Sequence, residues 1–168
     1  MRGFQLWLNL PGREKMADPQ YRDIPSAQIP RLHTEQGVEV VVIAGSFAEG
    51  QQRQAGAVQR PDTEPQVFDL RLPAGSNVRP ELPAGHRALL YVYQGKAQVQ
   101  DSHEANAGRL VRLDDQGELL ISSADGAGIL LIAGKPLNEP IVQYGPFVMN
   151  SREEIEQALR DFRDGTFG

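Results

Sequence analysis

This sequence predicts an all-β domain closed by a single C-terminal α-helix, and three observations carry that reading. Seventeen glycines and twelve prolines cut the chain into short apolar stretches, the punctuation of a protein rich in turns. Several stretches alternate apolar and polar residues with a period of two, as a strand with one buried face requires. Only the last stretch has helical period. Many short strands at such spacing make a sandwich or a small barrel, and no internal repeat is visible.

The first element is read at Phe4, Leu6, Leu8 and Leu10, which alternate with Gln5, Trp7 and Asn9. A strand there turns its leucines to one face and Trp7 to the other. Between Met16 and Leu32 the chain carries Pro19, Pro25 and Pro30 and is expected to be an extended linker. Strands are expected next over residues 38–44, 66–72, 87–93, 97–100, 109–113, 118–122 and 129–133. Turns separate them at Gly75-Ser76-Asn77, Pro83-Ala84-Gly85, Gln94-Gly95, Asp115-Gln116-Gly117 and Asp125-Gly126. Residues 46–65 are polar and poor in aromatics, with no convergent acid, base or phosphate-binding pattern, and are expected to form a mobile loop.

The final element is specified at both ends. Ser151 followed by Glu154 makes a capping box, and Gly165 is placed to stop the helix in a left-handed conformation. Between them Ile155, Leu159 and Phe162, with Ala158 beside them, form one apolar stripe. A helix of about a dozen residues with so narrow a stripe cannot stand alone. It is expected to dock on a sheet face through those three side chains.

Composition excludes whole classes of function. Hydrophobic residues make up 40% and charged residues 23%, ordinary for a soluble domain with a real core. No apolar run approaches the roughly 20 residues of a membrane helix, and Met1-Arg2-Gly3-Phe4 does not open a signal peptide. Zero cysteines remove disulfides, thiolate nucleophiles and cysteine-bound metals, and a cytoplasmic location is expected. The net charge of −5 offers no electrostatic footprint for nucleic acid or an anionic membrane. Arg152, Arg160 and Arg163 alternate with acidic residues, as on a solvated helix face.

Catalytic motifs are absent. His103-Glu104 begins like a zincin helix, but the second histidine would fall at Ala107; His103 is expected in an exposed hairpin loop beside Asp101 and Asn106. Ser46, Ser122 and Ser123 lack the context of a serine nucleophile. Asp114-Asp115 lacks the further carboxylates of a calcium loop. Gly126-Ala127-Gly128 precedes a strand, the wrong order for a phosphate-binding turn. A residual pocket is read at His86, Tyr91 and Tyr93: His86 follows a turn and could line a barrel mouth, or be purely structural. Tyr91 and Tyr93 share one strand face; inward they would line a pocket, outward they would pack on the helix or another lobe.

The run Gly134-Lys135-Pro136-Leu137-Asn138-Glu139-Pro140-Ile141, continued by Gly145-Pro146-Phe147-Val148-Met149-Asn150, closely resembles the end of the pirin family, two-lobed members of the cupin superfamily. Tyr91-Val92 with Gly95 fits the same lobe, and Gln5-Leu6-Trp7-Leu8-Asn9-Leu10-Pro11 resembles the segment joining the two lobes. The resemblance implies a cupin-type double-stranded jelly-roll with one C-terminal α-helix. It divides the chain into the end of a first lobe with its Pro-rich linker (1–32), a C-terminal cupin domain (33–150) and the helix (151–168). Pirins are linked to quercetin dioxygenase activity and, in eukaryotes, to transcriptional regulators, and hold an iron-type metal in the N-terminal lobe alone.

That metal is not expected here. Taking Gly95 as the turn glycine of the first cupin motif, the paired histidine positions fall on Glu81 and Pro83 and the carboxylate position on Arg87 or Ala88. These residues cannot hold iron, so no catalytic residue, metal or cofactor is expected in this chain. It is read as a metal-free lobe that acts by structure or by protein binding, or as part of a quercetin 2,3-dioxygenase whose metal-bearing lobe lies elsewhere. Either way the strand with Leu6, Trp7 and Leu8 would offer an unpaired edge to a second copy or to a separate metal-bearing lobe, or would fold back onto its own domain.

Overall fold

The computed structural model describes residues 3–100, 103–114 and 117–167. Among the described residues thirteen strands run in chain order as β1 Arg31–His33, β2 Glu39–Ala44, β3 Ser46–Glu49, β4 Gln52–Ala55, β5 Gln66–Leu72, β6 Ser76–Val78, β7 Arg87–Val99, β8 His103–Asn106, β9 Leu110–Arg112, β10 Ile121–Ser123, β11 Ala127–Gly134, β12 Val142–Tyr144 and β13 Phe147–Met149, followed by helix α1, Arg152–Asp164. The expected all-β class with one terminal helix is therefore what forms. The chain groups into two compact units, Asp23–Pro136 and the paired ends Met1–Arg22 with Leu137–Gly168. A serial division of the sequence at 32 and 150 cannot express this pairing of the ends, because linear patterning carries no information about which distant segments meet.

The unit Asp23–Pro136 is a curled antiparallel assembly organised around β7. The first half of β7, up to Gly95, pairs with β11, which continues through β5 and β2 to β1; β9 lies on its other side at Leu89–Tyr91. The second half pairs with β8 and β10, and β10 leads to β6. Arg87–Val99 therefore forms one bent strand, not two strands with a turn at Gln94-Gly95. Gly95 holds the bend at φ 69°, and a Cβ there would sit 2.1 Å from the Gly126 carbonyl oxygen, so only glycine fits. Pairing skips Tyr93 between Gly128 and Ile129, a β-bulge.

Alternation along these strands builds one core. Val40 and Val42, Phe68 and Leu70, Leu90 and Val92, and Ile129 and Leu131 are fully buried on a common face, and Phe47 meets Phe68 edge-on with ring centres 5.6 Å apart.

Several expectations are corrected. Residues 4–10 form no strand: the segment has no ladder partner among the described residues, and alternation alone cannot make a strand without a neighbouring edge. Residues 46–55, expected as a mobile loop, form the β3–β4 hairpin, with Arg53 bridging to Glu81 at 3.0 Å and Phe47 buried. Gly75 does turn, but Ser76 and Asn77 belong to β6, which β10 stabilises from a distance in sequence. His103 lies in β8, opposite Val99, not in a loop. Asp101, Asp115 and Gln116 lie outside the described residues.

In the second unit α1 starts as the sequence requires. Ser151 accepts from the Glu154 N–H at 3.2 Å, the Glu154 carboxylate accepts from the Ser151 N–H at 3.1 Å, and Gly165 ends the helix at φ 71°. The helix packs on the β12–β13 hairpin, burying Ile155 and Ala158 against Phe147 and Met149, with Leu159 half-buried. Phe162 is 67% exposed and touches Phe147 only edge-on at 5.9 Å. The apolar stripe is thus centred nearer Ala158 than expected, because the surface it covers is a narrow hairpin. A polar clasp fixes the N-terminal segment in this unit. The Glu139 carboxylate accepts from the Gly12 N–H at 2.7 Å and from Asn150 Nδ2 at 2.8 Å. Lys15 Nζ donates to Asn9 Oδ1 and to the Val148 carbonyl. The bond from Gly12 holds the Glu139 carboxyl below its usual range, and burial lowers Lys15.

Candidate functional site

The Asp23–Pro136 unit contains a cavity of about 1020 Å³, at the upper end of the size that suits a small organic molecule. Its walls follow from strand alternation. Ala88 and Val99 face inward from β7, Val111 from β9, and Leu82, Leu113 and Leu119 from the connecting segments. The β3–β4 hairpin closes one side with Glu49 and Gly50. Arg53 pins that hairpin by donating to the Gly50 and Gln52 carbonyls and to Glu81.

Polar groups are few and uneven. His86 lines the cavity with its side chain 3% exposed. Its Nε2 lies 3.2 Å from the Glu64 carbonyl oxygen; a carbonyl only accepts, so Nε2 carries the hydrogen and the neutral ring's Nδ1 is an acceptor. That Nδ1 is buried without a partner. Glu64 stands at φ 43°, and its carboxylate bonds Lys135 at 3.0 Å, which lowers its pKa. Glu49 is half-buried; one of its oxygens accepts the Arg79 N–H at 2.6 Å. His103 sits at the mouth opposite Val99. Arg79 and Arg112 also border the cavity, but each alternates with inward neighbours, Val78 and Pro80 in one case and Val111 and Leu113 in the other, which turns their guanidinium groups to the outer side.

The pocket read from sequence is divided by the structure. His86 lines the cavity; Tyr91 and Tyr93 do not, since they lie on the face of β7 opposite Leu90 and Val92. Tyr93 instead leans across Gly128 of β11 to donate to Asp69 Oδ1 at 2.5 Å. Burial first, and then the Asp69 carboxylate, push its hydroxyl up to about 12. Asp69 also holds Arg71 at 3.1 Å, and Arg71 and Arg31 clamp Glu39 at 3.0 and 2.6 Å. The result is an ionic band on the outer sheet face, which lowers the Glu39 pKa chiefly through the Arg31 bond. Glu49, Leu82, Val111, Leu113 and Leu119 were not legible as a site. The one available signal was the alternation of Phe47 and Glu49 before Gly50.

The positions expected to correspond to cupin ligands do not fit a metal. Glu81 is half-exposed and paired with Arg53, Pro83 has no donor side chain, Arg87 is a cation and Ala88 is a wall of the cavity. Among the described residues no group of three or more His, Asp or Glu side chains could hold a metal ion. Ser123 Oγ is engaged with the Lys96 carbonyl at 2.6 Å, a structural role. Leu6, Trp7 and Leu8 lie in the other unit and are 49%, 77% and 53% exposed.

Comparison with known proteins agrees with this geometry. The pirin C-terminal cupin domain family matches residues 67–168. A Pseudomonas aeruginosa protein provisionally named quercetin 2,3-dioxygenase PA3240 is 61% identical over 167 residues, 98% of this chain and 59% of that relative. Human pirin is 35% identical over 173 residues, covering 99% of this chain and 57% of pirin. The crystal structure of a quercetin 2,3-dioxygenase from Acinetobacter baumannii superposes with a TM-score of 0.85 at 35% identity, over 96% of this chain and 55% of that one. The chain thus spans little more than half the length of these relatives, and its curled β unit is a cupin-type jelly-roll. With the C-terminal cupin match and nearly the whole chain aligned to pirins, the chain belongs to the pirin family.

Proposed function

We propose that this chain works by association, as a metal-free cupin lobe of a pirin-type protein, and that its partner is a separate, metal-bearing cupin lobe. The observation that carries the reading is the placement of exposed apolar side chains. Phe4, Leu6, Trp7 and Leu8, and also Ile141, Tyr144 and Phe162, all belong to the unit formed by the chain ends. In the other unit only Leu89 and Leu110 are large, apolar and exposed among the described residues. The end unit buries just Phe147, Met149, Ile155 and Ala158 as its core, too little to stabilise a domain of its size. Its exposed side chains would each gain about 1.5–3 kcal/mol on full burial. The additional length of the relatives is where the complementary surface is expected.

In this reading any quercetin dioxygenase activity belongs to the assembled protein, because oxidation by dioxygen requires a redox centre that the residues here do not fit. A cytoplasmic location accords with the lack of cysteine and with the absence, among the described residues, of a helix long and apolar enough to cross a membrane.

The test titrates this chain with a separately produced polypeptide comprising the part of the Pseudomonas relative that lies outside the matched region. Saturable binding, followed by sedimentation and abolished by serine at Leu6, Trp7 and Leu8, is the expected result, together with a blue shift of Trp7 fluorescence in the unsubstituted chain. Absence of binding, or binding that the triple variant leaves unchanged, overturns the reading. Sedimentation of the chain alone is expected to show a monomer; a dimer dissociated by the same triple variant would replace the partner lobe with a second copy.

A further inference from the structure

The cavity of the cupin unit has a chemical preference of its own. Its floor is apolar, with Leu82, Val99, Val111, Leu113 and Leu119 facing in. The polar groups it offers are acceptors. His86 borders the cavity with its Nε2 hydrogen engaged by the Glu64 carbonyl and its Nδ1 enclosed by protein, so it brings no donor to the cavity. Glu49 uses one carboxylate oxygen for the Arg79 N–H and has no further protein partner among the described residues. Asp114 and Glu118 border the mouth and make no ion pair among the described residues. The cations that could balance them are committed elsewhere or turned away: Arg53 is paired with Glu81, and Arg79 and Arg112 alternate with inward-facing neighbours.

An organic anion would meet apolar walls and unbalanced carboxylates, with no inward cation. A neutral hydrocarbon would leave the acceptors unpaired, which is costly in a buried site. From this the geometry points to a small organic ammonium ligand: an apolar body on the leucine and valine floor, with a protonated amine at the Glu49 side of the cavity. Such a group brings several donors and one positive charge, matching the free acceptors in sign and kind. The inference concerns Asp23–Pro136 alone and does not depend on partner-lobe binding through the chain ends.

Three probes of equal shape decide the matter: phenethylamine, phenethyl alcohol and phenylacetate, titrated into the full chain and followed by amide chemical shifts. The amine is expected to move the resonances of Leu82, Val99, Val111 and Leu119 saturably, with affinity at least about tenfold above the carboxylate, a difference of about 1.4 kcal/mol. Glu49→Gln is expected to reduce that preference at least about threefold while leaving the alcohol unaffected, since the shape of the site is retained. Val111→Phe, which fills the cavity, should weaken the amine and the alcohol alike. If Val111→Phe fails to fold, the exposed-side Glu49→Gln comparison still decides. The inference is overturned if no probe shifts these residues, if the carboxylate binds as tightly as the amine, or if Glu49→Gln leaves the preference intact.

Discussion

Replacing Gly128 by alanine tests how the outer sheet face is held together. Gly128 lies on β11 between β5 and β7, and its φ is not in the left-handed region, so alanine strains no backbone there. The obstacle is the ring of Tyr93. A Cβ at position 128 would stand 2.3 Å from Cε2, 2.6 Å from Cζ and 2.9 Å from Oη, whereas carbon atoms rest at about 3.5–4.0 Å. The ring must therefore move by more than about 1 Å, which breaks its 2.5 Å bond to Asp69. A hydrogen bond to a charged group contributes about 1.5–3 kcal/mol, and overpacking adds about 1–3 kcal/mol. Against this, Gly→Ala lowers the entropy of the unfolded chain by about 0.4–1 kcal/mol. The net expectation is a loss of about 1.5–5.5 kcal/mol, read by urea unfolding followed by circular dichroism. The decisive comparison is Gly128→Ala in a Tyr93→Ala background, where the obstacle is gone and the substitution should be neutral or mildly stabilising. Equal destabilisation in both backgrounds would refute the account, because the cost would then not pass through the Tyr93 ring.

Other expectations follow from the same contacts. Tyr93 has its pKa raised to about 12, so its contribution is fully present below the ordinary tyrosine pKa of about 10 and is lost as pH rises toward 12. For a half-exposed ring this is discounted to about 1 kcal/mol; absorbance titration should show one late-ionising tyrosine that Tyr93→Phe removes. Glu39, lowered by Arg31 and Arg71, contributes above its unfolded pKa and loses that contribution as pH falls through the folded value; Arg31→Ala should raise the Glu39 pKa measured by carboxyl carbon shifts. Ala158→Asp introduces an unpaired charge against Phe147 and Met149 and should cost about 3 kcal/mol, more than Leu159→Asp at a half-buried position; the reverse order in thermal melts would show the helix docked differently. The purified chain is expected to carry less than one-tenth of a transition metal per molecule after dialysis against chelator, and elemental analysis near one metal per chain would contradict the ligand assignment.

What the sequence determined by itself was local and periodic. The helix was legible to its caps, because Ser151, Glu154 and Gly165 satisfy backbone groups within one turn of themselves. Strand β5 was read at its observed bounds and β2 and β11 nearly so, since burial on one face imposes alternation that survives any register. The pirin resemblance was equally a property of the linear string. Tertiary structure decided everything that depends on a distant neighbour. Residues 4–10 have the alternation of a strand but no ladder partner among the described residues, whereas the polar residues 46–55 pair because a hairpin supplies its own edge and Glu81 receives Arg53. The turn read at Gly95 became a bend within one strand because partners on both sides carry the ladder past it. Tyr93 left the candidate pocket because the bulge at Gly128 lays its ring across the outer face. His86 entered the cavity because it precedes β7 on the same side as Ala88 and the Glu64 carbonyl holds its Nε2, and the walls around it are assembled from segments distant in sequence that no spacing rule connects.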